Sequence, residues 1–321
     1  MKSSSRLFPV RLMRAEVLGT CTEDTYLIKP NNSPDKQVEI AVTHLVPMDI
    51  KSDQAPRPAL ILLHGSYQNR YFWYSPQGEG VATRLLDHFD VWLMEARGHG
   101  LSPVNQHYAD NSLLDYARYD IPAVNAFVAE KTGTKPYWLG HNEGVTSLLF
   151  ALASGSLLQE SALAVIGLGS PWAVPGWMKL PFVGQLQKLL LRGYHRQSDR
   201  GPEPESAQLV AMHRAEQTLF ASLGMSLGKD FWSQLGSSGI PLHWLGSEAE
   251  FVLQNKKLQR IIGENKSLSD KLNGMAGCLH LHASDEVDVV CQLLLARLNM
   301  ECSSRGQDSD LLSAREATST T

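Results

Sequence analysis

No cysteine pair in this 321-residue chain has the C-x-x-C spacing of a thiol zinc site or a dithiol redox centre. The four cysteines, Cys21, Cys278, Cys291 and Cys302, are scattered along the sequence. They read as unpaired thiols in a reducing compartment, so a cytoplasmic protein is expected. Eleven histidines are present, yet none forms H-E-x-x-H, and no metal or other cofactor is expected. A strong charge of one sign is missing as well: Lys and Arg total 29 against 33 Asp and Glu, a net −4. Without a basic field, nucleic acid is not an expected partner. No apolar run approaches the ~20 residues that span a bilayer. Met1 to Pro9 has basic residues but no continuous apolar stretch, so no signal peptide is expected. What is present suits a globular core: 43% hydrophobic and 19% charged residues, over a length that accommodates one large α/β domain with an inserted lid.

Two strand-like segments come first, Ala15 to Thr20 and Gln37 to Val46, separated by a turn at Asn31 to Asp35. The second alternates Val38, Ile40 and Val42 with polar neighbours, as a half-exposed antiparallel strand does. Short continuous apolar runs come next, at Ala59–Leu63, Asp90–Met94, Pro136–Leu139, Leu163–Leu168 and Pro241–Leu245. Runs without alternation suit strands buried on both faces, as in a parallel sheet. Helical patterns fall between them: Val81 to His88, Ser112 to Lys131 and Gly144 to Ala153. This order predicts an α/β fold with a mostly parallel, doubly wound sheet. Residues 14–172 and 240–300 are the expected core. Residues 173–239 contain no convincing strand and read as a helical lid, with Trp177 to Leu191 as its apolar part. The Ser-, Thr- and Asp-rich stretch 303–321 reads as disordered.

The chemistry is advertised at Gly140-His141-Asn142-Glu143-Gly144, between an apolar strand and an apolar helix. That is the context of a nucleophile elbow, G-x-S-x-G, whose glycines keep the turn tight enough to thrust the central side chain into a site. The central residue here is Asn142. Upstream, Leu63-His64-Gly65-Ser66-Tyr67 ends a strand in the manner of an oxyanion loop, and Glu95-Ala96-Arg97-Gly98-His99-Gly100-Leu101-Ser102 forms a turn after the next strand.

These motifs resemble those of α/β-hydrolase-fold proteins, and within them the gastric and lysosomal acid lipase branch. Phe89-Asp90-Val91-Trp92, Tyr119-Asp120-Ile121-Pro122-Ala123, Lys131-Thr132-Gly133 and Gly140-His141-x-x-Gly144 occur in that branch's order, from about Pro58 to Ala153. The resemblance implies ester hydrolysis on apolar acyl substrates by a Ser–Asp–His triad. It implies backbone oxyanion donors at Ser66 and Glu143. It implies an acid at Ala249, where only the neighbours Glu248 and Glu250 carry carboxylates, and a histidine at His280, with His282 second. His64, Gly65, Tyr67, His141, Ser170 and Trp172 are the expected pocket residues. The aromatic run Tyr67, Tyr71, Phe72, Trp73 and Tyr74, with Gln68 among them, is a candidate pocket wall.

Asparagine at the elbow changes the chemistry open to the site. Its amide nitrogen is delocalised into the carbonyl, so Asn142 forms no normal acyl-enzyme. Four accounts stand: a catalytically degenerate hydrolase that binds a ligand or partner; a reaction without covalent intermediate, with His280 as general base; Ser170 as substitute nucleophile; or deamidation of Asn142, against which the bulky Glu143 speaks. The expected ligand is a small apolar acyl compound, with transient membrane-surface contact through the lid.

Overall fold

The computed structural model describes residues 5–49, 56–65, 68–105, 111–168, 229–245 and 287–298. Its strands are β1 (Val10–Leu18), β2 (Cys21–Ile28), β3 (Ile40–Pro47), β4 (Ala59–Leu63), β5 (Asp90–Glu95), β6 (Tyr137–His141), β7 (Val165–Leu168) and β8 (Leu242–Leu245). They form one sheet in the order β1-β2-β3-β5-β4-β6-β7-β8. The first three make an antiparallel meander that joins β5 antiparallel. From β5 through β4, β6 and β7 to β8 all neighbours are parallel. The chain passes from β4 to β5 on one side and returns to β6 on the other. The strand ends of β4 and β6 therefore flank a switch point, where sheets of this kind open a crevice.

The helices are α1 (Val81–Arg84), α2 (Leu113–Asp115), α3 (Ile121–Thr132), α4 (Glu143–Ala153), α5 (Lys229–Gly236) and α6 (residues 287–298). Alternation along β4 explains the two layers. Ala59, Ile61 and Leu63 join a core with Trp92, Trp138, Phe127, Leu148 and Leu149, under α3 and α4. Leu60 and Leu62 face the other way, towards Val81, Leu85, Val290 and Leu294 on the side of α1 and α6. Both faces are covered, so each central strand reads as an unbroken apolar run.

Several elements depart from the sequence reading. β1 begins at Val10 and β7 at Val165. β2 has no counterpart among the expected strands, because Glu23 and Asp24 interrupt its pattern. Glu23 is buried there by pairing: Arg70 Nε donates to its Oε1 at 3.0 Å and Arg14 at 2.5 Å. The single helix expected over Ser112 to Lys131 is divided. α2 is closed by a capping box between Ser112 and Asp115. A π turn over Tyr116–Asp120 then precedes α3, which ends at Gly133 with φ 73°. Inside the range expected as lid, α5 lies on the core: Phe231 meets Phe150 with ring centroids 5.2 Å apart, and Leu235 is buried. Residues 173–228 of the expected lid and the stretch 303–321 lie outside the described residues.

Candidate functional site

β6 runs into Asn142, the one non-glycine residue with positive φ among the described residues, at φ 45° and ψ −110°. α4 starts at the next residue. Both flanking glycines are required by contact. A Cβ on Gly140 would lie 2.8 Å from Leu148 Cδ1 and 2.9 Å from Val145 N. On Gly144 it would lie 2.5 Å from the His64 carbonyl oxygen and 2.8 Å from that of Leu63. Asn142 N–H donates to the Leu168 carbonyl at 3.1 Å, and the Asn142 carbonyl accepts from Thr146 N at 3.2 Å. The half-buried Asn142 side chain is thus carried on a turn held from β7 and from α4, with the Glu143 amide in the first turn, where amides lack intrahelical partners.

The end of β4 faces this turn. Ala96 N–H donates to His64 Nε2 at 3.2 Å, so His64 carries its proton on Nδ1 and donates it to the Gly65 carbonyl at 2.7 Å. Burial pushes His64 down to about 4. Gly65 N–H donates to Gln68 Oε1 at 2.9 Å, and His141 Nδ1 reaches the same oxygen at 2.9 Å. That oxygen accepts, so His141 Nδ1 is the protonated nitrogen. The His141 ring stacks on Phe72 at 4.2 Å, and burial, with His64 close by, pushes it down to about 3. Both rings are neutral at ordinary pH.

The turn after β5 is the third wall. Glu95 is fully buried and accepts from Arg70 N at 3.0 Å and from Leu101 N at 3.1 Å. A Cβ on Gly100, at φ 50°, would fall 1.9 Å from Glu95 Oε1. Arg97 forks onto Asp120, Nε to Oδ2 at 2.8 Å and a terminal nitrogen to Oδ1 at 2.5 Å, which anchors the turn to the start of α3. Between these walls lies a small cleft, open to solvent. His64, Gly65, Glu143 and Gly144 line it with Ala96, His99, Leu113, Tyr116 and Ser147.

The structure thus brings together Asn142, Glu143, His64, Gly65 and His141, although only Glu143, His64 and Gly65 of these line the cleft and His141 is turned to Gln68 and Phe72. Ser66, Tyr67, Ser170, Trp172, Glu248, Glu250 and His280 lie outside the described residues. Phe72, Trp73 and Tyr74 depart from their expected place in a pocket wall: they are buried in the core under the sheet. His99, Tyr116 and Ser147 are cleft residues that the motifs do not single out. Ser147 lies four residues after Glu143 on α4 and shares its face, which is a usable signal. Gln68 is one of three consecutive polar residues between Tyr67 and Tyr71, and nothing in the sequence sets it apart from Asn69 and Arg70. Among the described residues, no group of three His, Cys, Asp or Glu side chains is placed to hold a metal ion.

A profile of the alpha/beta hydrolase fold family matches residues 58–223. The chain belongs to the α/β-hydrolase fold family. Its curated relatives include lipases of the branch to which the motifs pointed. Lipase member K from Homo sapiens is 36% identical over 116 residues, 33% of this chain and 29% of that protein. Gastric triacylglycerol lipase from Homo sapiens is 29% identical over 149 residues, 43% of this chain and 35% of that protein. A putative lysosomal acid lipase/cholesteryl ester hydrolase from Crotalus adamanteus is 29% identical over 226 residues, 65% of this chain and 52% of that protein. The chain spans about a third of the length of the first three curated relatives it matches. Among solved structures, an alpha/beta hydrolase from Sphaerobacter thermophilus shares 18% identity over 78% of this chain and 99% of that one, with a TM-score of 0.47.

Proposed function

We propose that this α/β hydrolase binds a small apolar acyl compound at the crevice between β4 and β6 and forms no acyl-enzyme with it. The observation that carries the reading is Asn142 at the elbow position. An amide there offers hydrogen bonds but no attacking electron pair. The described histidines beside it do not supply a base. His64 uses both ring nitrogens, and the His141 ring, whose Nε2 keeps its lone pair, is pushed down to about 3 by burial and does not line the cleft. The Glu143 amide, with Ser66 N–H as the second donor, is suited to hold a carbonyl oxygen of the ligand. His280, with Glu248 or Glu250 as its orienting carboxylate, would complete a triad were the nucleophile present. Lipase relatives support an apolar acyl ligand. The apolar segment Trp177 to Leu191 is the proposed point of transient contact with a membrane surface. Among the described residues no helix is long and apolar enough to cross a membrane. A cytoplasmic location is proposed from the scattered cysteines of the sequence.

Turnover of short- and medium-chain p-nitrophenyl esters, measured beside Asn142→Ser and Asn142→Ser/His280→Ala, tests the reading. We expect no turnover in the unaltered protein, turnover in Asn142→Ser, and its loss in the double variant. A missing triad nucleophile accounts for about 10⁶ in rate. Turnover in the unaltered protein that His280→Ala abolishes would instead establish a hydrolase working without a covalent intermediate. Silence in Asn142→Ser would overturn the acyl pocket.

A further inference from the structure

We propose that Gln68 is a positioning residue that locks the end of β4 to the elbow through one shared amide oxygen. The ladder between β4 and β6 ends at the pair Leu63 and Gly140. Beyond it, Gly65 N–H and His141 Nδ1–H both donate to Gln68 Oε1, each at 2.9 Å. Gly65 belongs to one strand end and His141 to the other, immediately before Asn142. The fit is tight: a Cβ on Gly65 would meet Gln68 Oε1 at 3.0 Å and His141 Nδ1 at 3.1 Å. On its far side the His141 ring is fixed by Phe72, 4.2 Å away and tilted 23°. The Gly65 carbonyl is held in turn by His64, whose Nε2 accepts from Ala96 N. A single chain of bonds therefore runs from β5 through β4 to the elbow, and Gln68 is the link that crosses from β4 to β6. It touches no reacting atom. It sets the spacing between the strand end that leads to one carbonyl-binding amide and the turn that presents the other. That consequence rests on the acyl-site reading, whereas the lock itself does not.

The test uses the full chain with Gln68→Leu, which removes the acceptor at similar volume, and Gln68→Glu, which keeps an acceptor oxygen. Nitrogen-15 NMR of the imidazoles is expected to show His141 as the Nδ1–H tautomer in the unaltered protein and in Gln68→Glu, and a mixed tautomer in Gln68→Leu. Amide exchange at Gly65 is expected to accelerate at least about tenfold in Gln68→Leu alone. In the Asn142→Ser background, Gln68→Leu is expected to lower kcat for a p-nitrophenyl ester about 100-fold, with KM nearly unchanged and recovery by Gln68→Glu. The proposal is overturned by an Nε2–H tautomer of His141 in the unaltered protein. It is equally overturned by unchanged tautomer and exchange in Gln68→Leu, or by a released tautomer with unchanged kcat. If Asn142→Ser turns over no ester, the acyl-site reading fails by itself, and tautomer and exchange still decide the lock.

Discussion

Replacing Asn142 by glycine should make the protein more stable. At φ 45° and ψ −110° a residue with a Cβ sits in a sparsely populated region, at a cost of about 1–3 kcal/mol. The mirror image of that conformation, φ −45° and ψ 110°, is ordinary extended backbone, so glycine adopts the turn without strain. Against this gain stands the wider freedom of glycine in the unfolded chain, about 0.4–1 kcal/mol. The difference leaves Asn142→Gly about 1 kcal/mol more stable. Asn142→Ala is the control. It keeps the Cβ, and alanine tolerates positive φ less well than asparagine, so it should be neutral or destabilising by up to about 1 kcal/mol. Urea unfolding followed by tryptophan fluorescence reads both, because Trp92 and Trp138 are buried in the sheet. A glycine variant no more stable than the alanine variant would refute the reasoning and mean that the elbow stores no strain.

Acid should weaken the fold. His64 and His141 are held at about 4 and about 3, below the ordinary 6.5 they regain on unfolding. The unfolded chain therefore binds more protons, and the stability present above pH 6.5 is lost as pH falls towards 4 and then 3. Between pH 6.5 and 5 the two histidines cost about 3 kcal/mol together, and the Asp120 carboxyl, raised by burial to about 6, offsets about 1 kcal/mol of it because the folded chain takes up that proton first. Equal urea midpoints at pH 7.5 and 5.0 would contradict this. Arg70→Leu should destabilise by about 3–5 kcal/mol, because it strands the buried Glu95 carboxylate without its cation and leaves Glu23 with Arg14 alone. A loss below about 1 kcal/mol in the same unfolding assay would show that the two carboxyls find other partners or become protonated.

Elements whose physics is local were legible in the sequence. Continuous apolar runs announced the parallel strands, because a strand covered on both faces has no polar side to show. Gly140 and Gly144 announced the elbow, because their spacing suits one tight turn and a side chain at either would strike its neighbours. Chain-order motifs placed Asn142, Glu143, His64 and Gly65 at one edge of the sheet. Features that depend on partners distant in the chain emerged with the packed molecule alone. β2 was hidden because its charged residues look exposed until Arg70, 47 residues away, and Arg14 on the neighbouring strand neutralise Glu23. The pocket-wall reading of Phe72, Trp73 and Tyr74 failed because hydrophobicity says that a ring is buried, not against what. Tyr116 and Ser147 enter the cleft through a π turn and a helix face whose neighbours the sequence does not name. The shared acceptor at Gln68 lies beyond any pattern of residue types, since two N–H groups from different strands meet one oxygen only after the sheet has set their distance.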